Sequence, residues 1–146
     1  MIPSSNYLRI VRASAWYDLV VTVGFATPWT FTLVLASLEV LSGLLGIAGS
    51  FPKFEAAHML MANLLGSIVT VWAILRIRNT QVLYGRYDAA GRFLFATWQL
   101  HALVNNAHPI IWGFFVVEVA FGIAQILPVT NPDLVKHARR SRVATG

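Results

Sequence analysis

The sequence predicts an all-α fold: an integral membrane four-helix bundle with an additional re-entrant or interfacial helix after the first span. Three observations predict it. Hydrophobic residues make up 57% of the 146, and charged residues only 12%, against roughly 25% charged in a soluble domain. Mean hydropathy is +0.65. Four apolar stretches approach the about 20 residues that a spanning helix needs, and prolines or basic clusters bound them. The composition argues against a cytosolic globule, a disordered tail and a nucleic-acid module, so no nucleic acid is expected as a partner. With no cysteine in the chain, disulfides, thiol relays and thiolate metal sites are excluded.

The first span is expected over 8–26, stopped by Pro28. Gly24 and Ala26 resemble a signal-peptide cleavage site, but Asp18 inside the stretch and Pro28 after it argue that the segment is retained. The second span, 54–75, lies between the Phe51-Pro52 turn and the basic Arg76-Ile77-Arg78. The third is drawn over 89–106. The fourth, 109–127, is bounded by Pro109 and Pro128, as helix starts and stops often are. Residues 1–130 form a single transmembrane domain, and 131–146 a basic cytoplasmic tail.

The stretch 30–48 is apolar but carries Glu39 at its centre and Gly43, Gly46 and Gly49 near its end. Charge decides its placement. Arginines cluster at 9–12, over 76–92 and in the tail at 139–142, whereas the connections near Lys53 and near 105–108 are almost uncharged. Basic loops face the cytoplasm. Both termini are then cytoplasmic, an even number of spans is required, and 30–48 does not cross. The rival is five spans with the N-terminus outside. Trp29 and Trp112 at outer helix ends, and Trp72, Tyr84 and Tyr87 near inner ends, fit an aromatic belt. The expected location is a bacterial inner membrane, with the lipid bilayer as surroundings.

Ionisable groups at membrane depth are functional candidates by default. Asp18, Glu39 and Glu118 lie inside apolar segments, and Arg92, one turn into its helix, can snorkel outward. These acids therefore have no evident basic partner. They are hydrogen-bonded in neutral form, line a wet cavity, or face a cation from a ligand or a partner protein. Asp18, Gln99 and Glu118 are placed to meet near the midplane. Ser14, Asp18 and Thr22 share one helix face, as do Glu118, Gly122 and Gln125. On the second span His58, Ala62, Gly66 and Thr70 recur every four residues beside Asn63, a small face suited to close helix packing. Asp88 is expected to pair with Arg92 four residues on. The ligand-binding candidates are Asp18, Glu39, His58, Asn63, Gln99, His101 and Glu118. The alternative for His58, Gln99 and His101 is plain interhelical hydrogen bonding. The histidines fall one per segment, so no haem, other cofactor or metal is expected, and no phosphate loop or hydrolase motif occurs.

The strings FATPWT (25–30) and GRYDAAGRFLFATWQL (85–100) resemble those of small bacterial inner-membrane proteins. The layout also resembles the DoxX-like family, which often accompanies redox or lipid systems. It is similar too to the emopamil-binding and sterol-isomerase superfamily, whose four-helix cavity uses acids and a histidine on a lipophilic, often amine-bearing ligand. The second resemblance implies roles for residues of the type of Asp18, Glu39, Glu118 and His58, without a spacing that assigns them singly.

Three functions follow as alternatives. One is an accessory subunit or lipophilic-ligand-binding protein with an acid-lined intramembrane site, acting with a membrane-protein partner, a second copy or a lipophilic small molecule. Another is a membrane enzyme doing proton-transfer chemistry, isomerase-like, on a lipid-soluble substrate. The third is a small proton-coupled carrier, disfavoured by four spans and no visible repeat. A closed acid-lined cavity opening to lipid would favour a ligand or substrate. A solid core with an apolar outer groove would favour a subunit.

Overall fold

The computed structural model describes residues 1–130. It is all-α, with helices α1 Ser4–Thr22, α2 Pro28–Leu44, α3 Ala56–Arg78, α4 Val82–Val104 and α5 Ile111–Ile126. The tail expected at 131–146 lies outside the described residues. The two-residue strands β1 Ile2–Pro3 and β2 Val129–Thr130 pair in parallel, bringing the start of α1 beside the end of α5.

α1 is the central helix. Its buried residues are Tyr7, Val11, Ser14, Ala15 and Asp18, spaced so that they form one stripe. That stripe rests on α3 and also meets α4 and α5. A single 3₁₀ turn, Val23–Phe25, ends it. Thr27 then caps α2, its side-chain oxygen accepting the Thr30 N–H at 3.2 Å, with Pro28 opening the helix. The chain turns by 108° between α1 and α2.

α3 seats this bend. Asn63 Nδ2 donates to the Phe25 carbonyl at 2.8 Å. A Cβ at Gly66 would come within 2.5 Å of the Phe25 carbonyl carbon. The small face of α3 therefore receives the backbone of the kink itself, which only glycine permits. α2 and α4 end alike, with left-handed Gly46 (φ 67°) and Asn106 (φ 63°). Ile47 N donates to Ser42 O and Ala107 N to Ala102 O, both at 2.9 Å, so the last carbonyls of both helices are satisfied.

α3 runs on to Arg78, and a three-residue turn, 79–81, leads straight into α4. No basic loop over 76–92 exists. The third span drawn from 89 lies within a helix that begins at Val82. Gly85 lies before the span drawn from 89, yet it is helical. Gly85 lies where α4 crosses α1: a Cβ there would meet Val11 Cγ2 at 2.5 Å and Tyr7 Oη at 2.6 Å. Beyond the turn, α3 rests chiefly on α1 and α4 chiefly on α5.

Among the described residues, α3 alone is long and apolar enough to cross a membrane by itself. α1 and α2 pass only as a bent pair, and α5, though apolar, has 16 residues. The core mixes apolar residues such as Tyr7, Val11 and Phe31 with charged ones. Arg76 and Arg92 head the fully buried side chains, while Val20, Leu33, Leu44, Met61 and Val104 are each more than 60% exposed.

Candidate functional site

Seven positions on four helices converge on one buried ionic cluster. α1 contributes Ser14 and Asp18, α3 Arg76, α4 Asp88 and Arg92, and α5 Glu118 and Gln125. Each sits on its helix's buried stripe. On α4 that stripe is Gly85, Asp88, Ala89, Arg92 and Ala96; on α5 it is Glu118, Gly122 and Gln125.

Arg92 is the hub. Its Nη2 donates to Asp18 Oδ1 at 2.7 Å and to Ser14 Oγ at 2.7 Å. Its Nη1 donates to Glu118 Oε2 at 2.7 Å, and its Nε to Asp88 Oδ2 at 3.1 Å. Arg76 supports the opposite side, with Nη1 2.5 Å from Asp88 Oδ2 and Nη2 bound to Asp18 Oδ2. Asp88 also accepts from Trp72 Nε1 at 3.1 Å, Ser14 Oγ at 2.9 Å and Gln125 Nε2 at 2.9 Å. Around the cluster, Tyr7 Oη and Arg86 Nη1 donate to the Gln125 carbonyl at 2.7 and 2.8 Å. Removing a guanidinium from such a buried set costs about 3–5 kcal/mol, because the carboxylates it held keep their charge without compensation.

Asp18 and Glu118 therefore do have basic partners, contrary to the sequence expectation. Arg76 was placed outside a span ending at 75. α3 continues past it, and Arg76 shares the buried face of Gly66 and Ala73. Arg92 does not snorkel. It is three turns into α4 and 2% exposed. The expected Asp88–Arg92 pair is present.

No family model matches this chain, and no curated protein or solved structure does either. The chemistry of the site therefore rests on its own geometry.

That geometry includes an opening. A cleft of about 160 Å³ lies between α3 and α4 and reaches Asp18, Asp88, Arg92 and Glu118. Its rim is apolar and aromatic, with Ile68 and Tyr87 exposed and Phe95 partly so. Gly91 lines it, and a Cβ there would meet nothing within 4 Å. Glu118 is 7% exposed, and its Oε2 is held by Arg92. Among the described residues its Oε1 has no hydrogen-bond partner.

Of the seven sequence candidates, the cluster unites Asp18 and Glu118. Gln99 is two turns further along α4, with Oε1 buried and unpartnered. Glu39 is exposed on α2. His58 caps α3, its Nδ1 accepting the Glu55 N–H at 3.4 Å. Asn63 holds the kink. His101 is exposed, its ring edge-on to Trp98 at 6.2 Å. Sequence reasoning missed Arg76, Asp88 and Arg92 as members of the site, although Ser14 and Gln125 already lay on the faces of Asp18 and Glu118. Among the described residues no group of three metal-ligating side chains is arranged to hold an ion.

Proposed function

We propose that this chain is a small polytopic protein of the bacterial inner membrane that binds a lipophilic small molecule in the cleft between α3 and α4. One observation carries the reading: a buried ionic cluster opens sideways, through an apolar rim, onto an exposed hydrophobic surface. In water such a surface is a liability; in a bilayer it is the solvated face, and the charges belong inside. α1 and α4 fall short of a simple hydropathy test; of their charged groups Asp18, Asp88 and Arg92 point inward, while Arg9 and Arg12 lie exposed near the start of α1.

Charge supports both termini being cytoplasmic, even with Arg76 and Arg92 removed from the count. Arg12 donates to Thr80 and Arg86 to the Leu127 carbonyl, so the start of α1, the α3–α4 turn and the end of α5 lie together. Arg9, Arg12, Arg78 and Arg86 gather at that end, and Lys53 is the lone Lys or Arg at the other among the described residues. Under the positive-inside rule that end is cytoplasmic. α2, turned by 108° from α1, then lies at the outer interface and does not span.

An acid-lined opening favours ligand binding over a purely structural subunit. It also favours binding over proton-transfer catalysis. Both oxygens of Asp18 are held by guanidiniums, which leaves it poorly placed to exchange a proton with a substrate.

The test is native mass spectrometry of the protein extracted in mild detergent, wild type against Gly91→Trp. The substitution has room at its Cβ and fills the cleft. The wild type should retain a co-purifying small lipophile that the variant has lost. Equal retention, or none in either, contradicts the reading.

A further inference from the structure

We infer that the cleft selects a cationic amphiphile, one whose small ammonium head donates a hydrogen bond to Glu118 Oε1. This deepens the proposed function and rests on it. The argument is one of charge and valence. The cluster holds two guanidiniums, Arg76 and Arg92, and three carboxylates, Asp18, Asp88 and Glu118. Fully ionised, it is one positive charge short. In a surrounding of low dielectric an uncompensated charge is expensive, so the cluster calls for one more positive charge, from a ligand cation or from a proton, and the geometry favours the cation.

Glu118 marks where it enters. Asp18 has a guanidinium on each oxygen. Asp88 receives the Trp72 indole on one oxygen and four donors on the other. Only Glu118 keeps a carboxylate oxygen without a partner among the described residues, in a side chain that is 90% buried and lines the cleft. An anion is not served there. The Arg92 guanidinium already spends its three nitrogens on Asp18, Asp88, Glu118 and Ser14, and Arg76 does not line the cleft.

The walls agree. Trp72, Tyr87 and Phe95 surround the opening, and aromatic faces attract an ammonium. At about 160 Å³ the space is smaller than the roughly 300–1,000 Å³ of sites that enclose whole ligands. A head of a few heavy atoms therefore enters, while the chain of the ligand leaves past Ile68 and Phe95 into lipid.

The experiment uses the full chain in lipid nanodiscs and four ten-carbon probes: decylammonium, decyltrimethylammonium, decanol and decanoate. Binding is read by thermal-shift titration. Decylammonium should bind about tenfold or more tighter than decanol, a difference of about 1.4 kcal/mol. Decyltrimethylammonium should fall between them, because it carries the charge without an N–H donor, and decanoate should bind weakest. Glu118→Gln should equalise decylammonium and decanol while keeping the wild-type melting temperature to within a few degrees. If decanol matches decylammonium in the wild type and Gly91→Trp abolishes both, the cleft binds lipophiles but the cation assignment falls, as it would if a proton supplied the missing charge. If decanoate binds best, the assignment also falls. If no probe binds, both this inference and the lipophile-binding function are overturned.

Discussion

From the middle of the bundle towards the α3–α4 turn, helices meet through charges; at the opposite end the connecting segments meet each other and α2 through rings. Near the turn, Arg76 and Arg92 tie four helices together by way of Asp18, Asp88 and Glu118. At the far end, Phe31 packs on Phe25 and Phe54, each at 5.0 Å between centroids, and Phe51 stacks on His108 at 4.5 Å. Ring contacts are individually small and tolerate loss. Ion pairs cut off from water do not, because losing a guanidinium strands the carboxylates it held. The ionic end should therefore be brittle and the aromatic end forgiving.

Substitutions can break or sharpen that contrast. The largest effect should come from Arg92→Met, which leaves three carboxylates facing one guanidinium. A loss of about 3–5 kcal/mol is expected, read as collapse of the folded yield in detergent. Adding Glu118→Gln should recover part of it, since one stranded charge is removed; no recovery would argue against the charge count. Gly66→Leu should come next, at about 1–3 kcal/mol of overpacking, because its Cβ would strike the Phe25 backbone at 2.5 Å. Ile68→Leu, at a 63% exposed position, should change the melting temperature little. Tyr7→Phe removes the 2.7 Å bond to the Gln125 carbonyl at the ionic end and should cost about 1 kcal/mol. Phe51→Ala, which unstacks His108, should cost about 0.5–1.5 kcal/mol, well below Arg92→Met. If Phe51→Ala proves worse than Arg92→Met, the contrast between the two ends is reversed.

How much of this was legible in the sequence follows the same division. The helices themselves were, because apolar runs bounded by Pro28, Pro52 and Pro128 leave few options. The inward faces of α1 and α5 were legible too: Ser14 with Asp18, and Glu118 with Gln125, recur at helical spacing. The small face of α3 could be drawn, though not its occupant, since nothing local says that the backbone of Phe25 will fill it. The basic half of the cluster was hidden. An arginine at the end of an apolar run, like Arg76, has the same local signature whether it turns into water or into the protein. The polar run Gly85–Asp88 hid the first turns of α4, so Arg92 seemed one turn from a helix end when it is three. Carrying α3 one residue further and asking what lies beneath Ala73 would have found the partner of Asp18.

The central claim is that charge lies inside and lipid outside, with the cleft opening sideways between α3 and α4. The absence of cysteine makes it directly testable. Single nitroxide labels at Ile68→Cys, on the cleft rim, and at Lys53→Cys, in the connection before α3, would be compared in bilayers for collision with dissolved oxygen and with a water-soluble nickel chelate. The account predicts that the label at position 68 meets oxygen and is shielded from nickel, while the label at 53 is open to nickel. Equal access of nickel to both positions would contradict it.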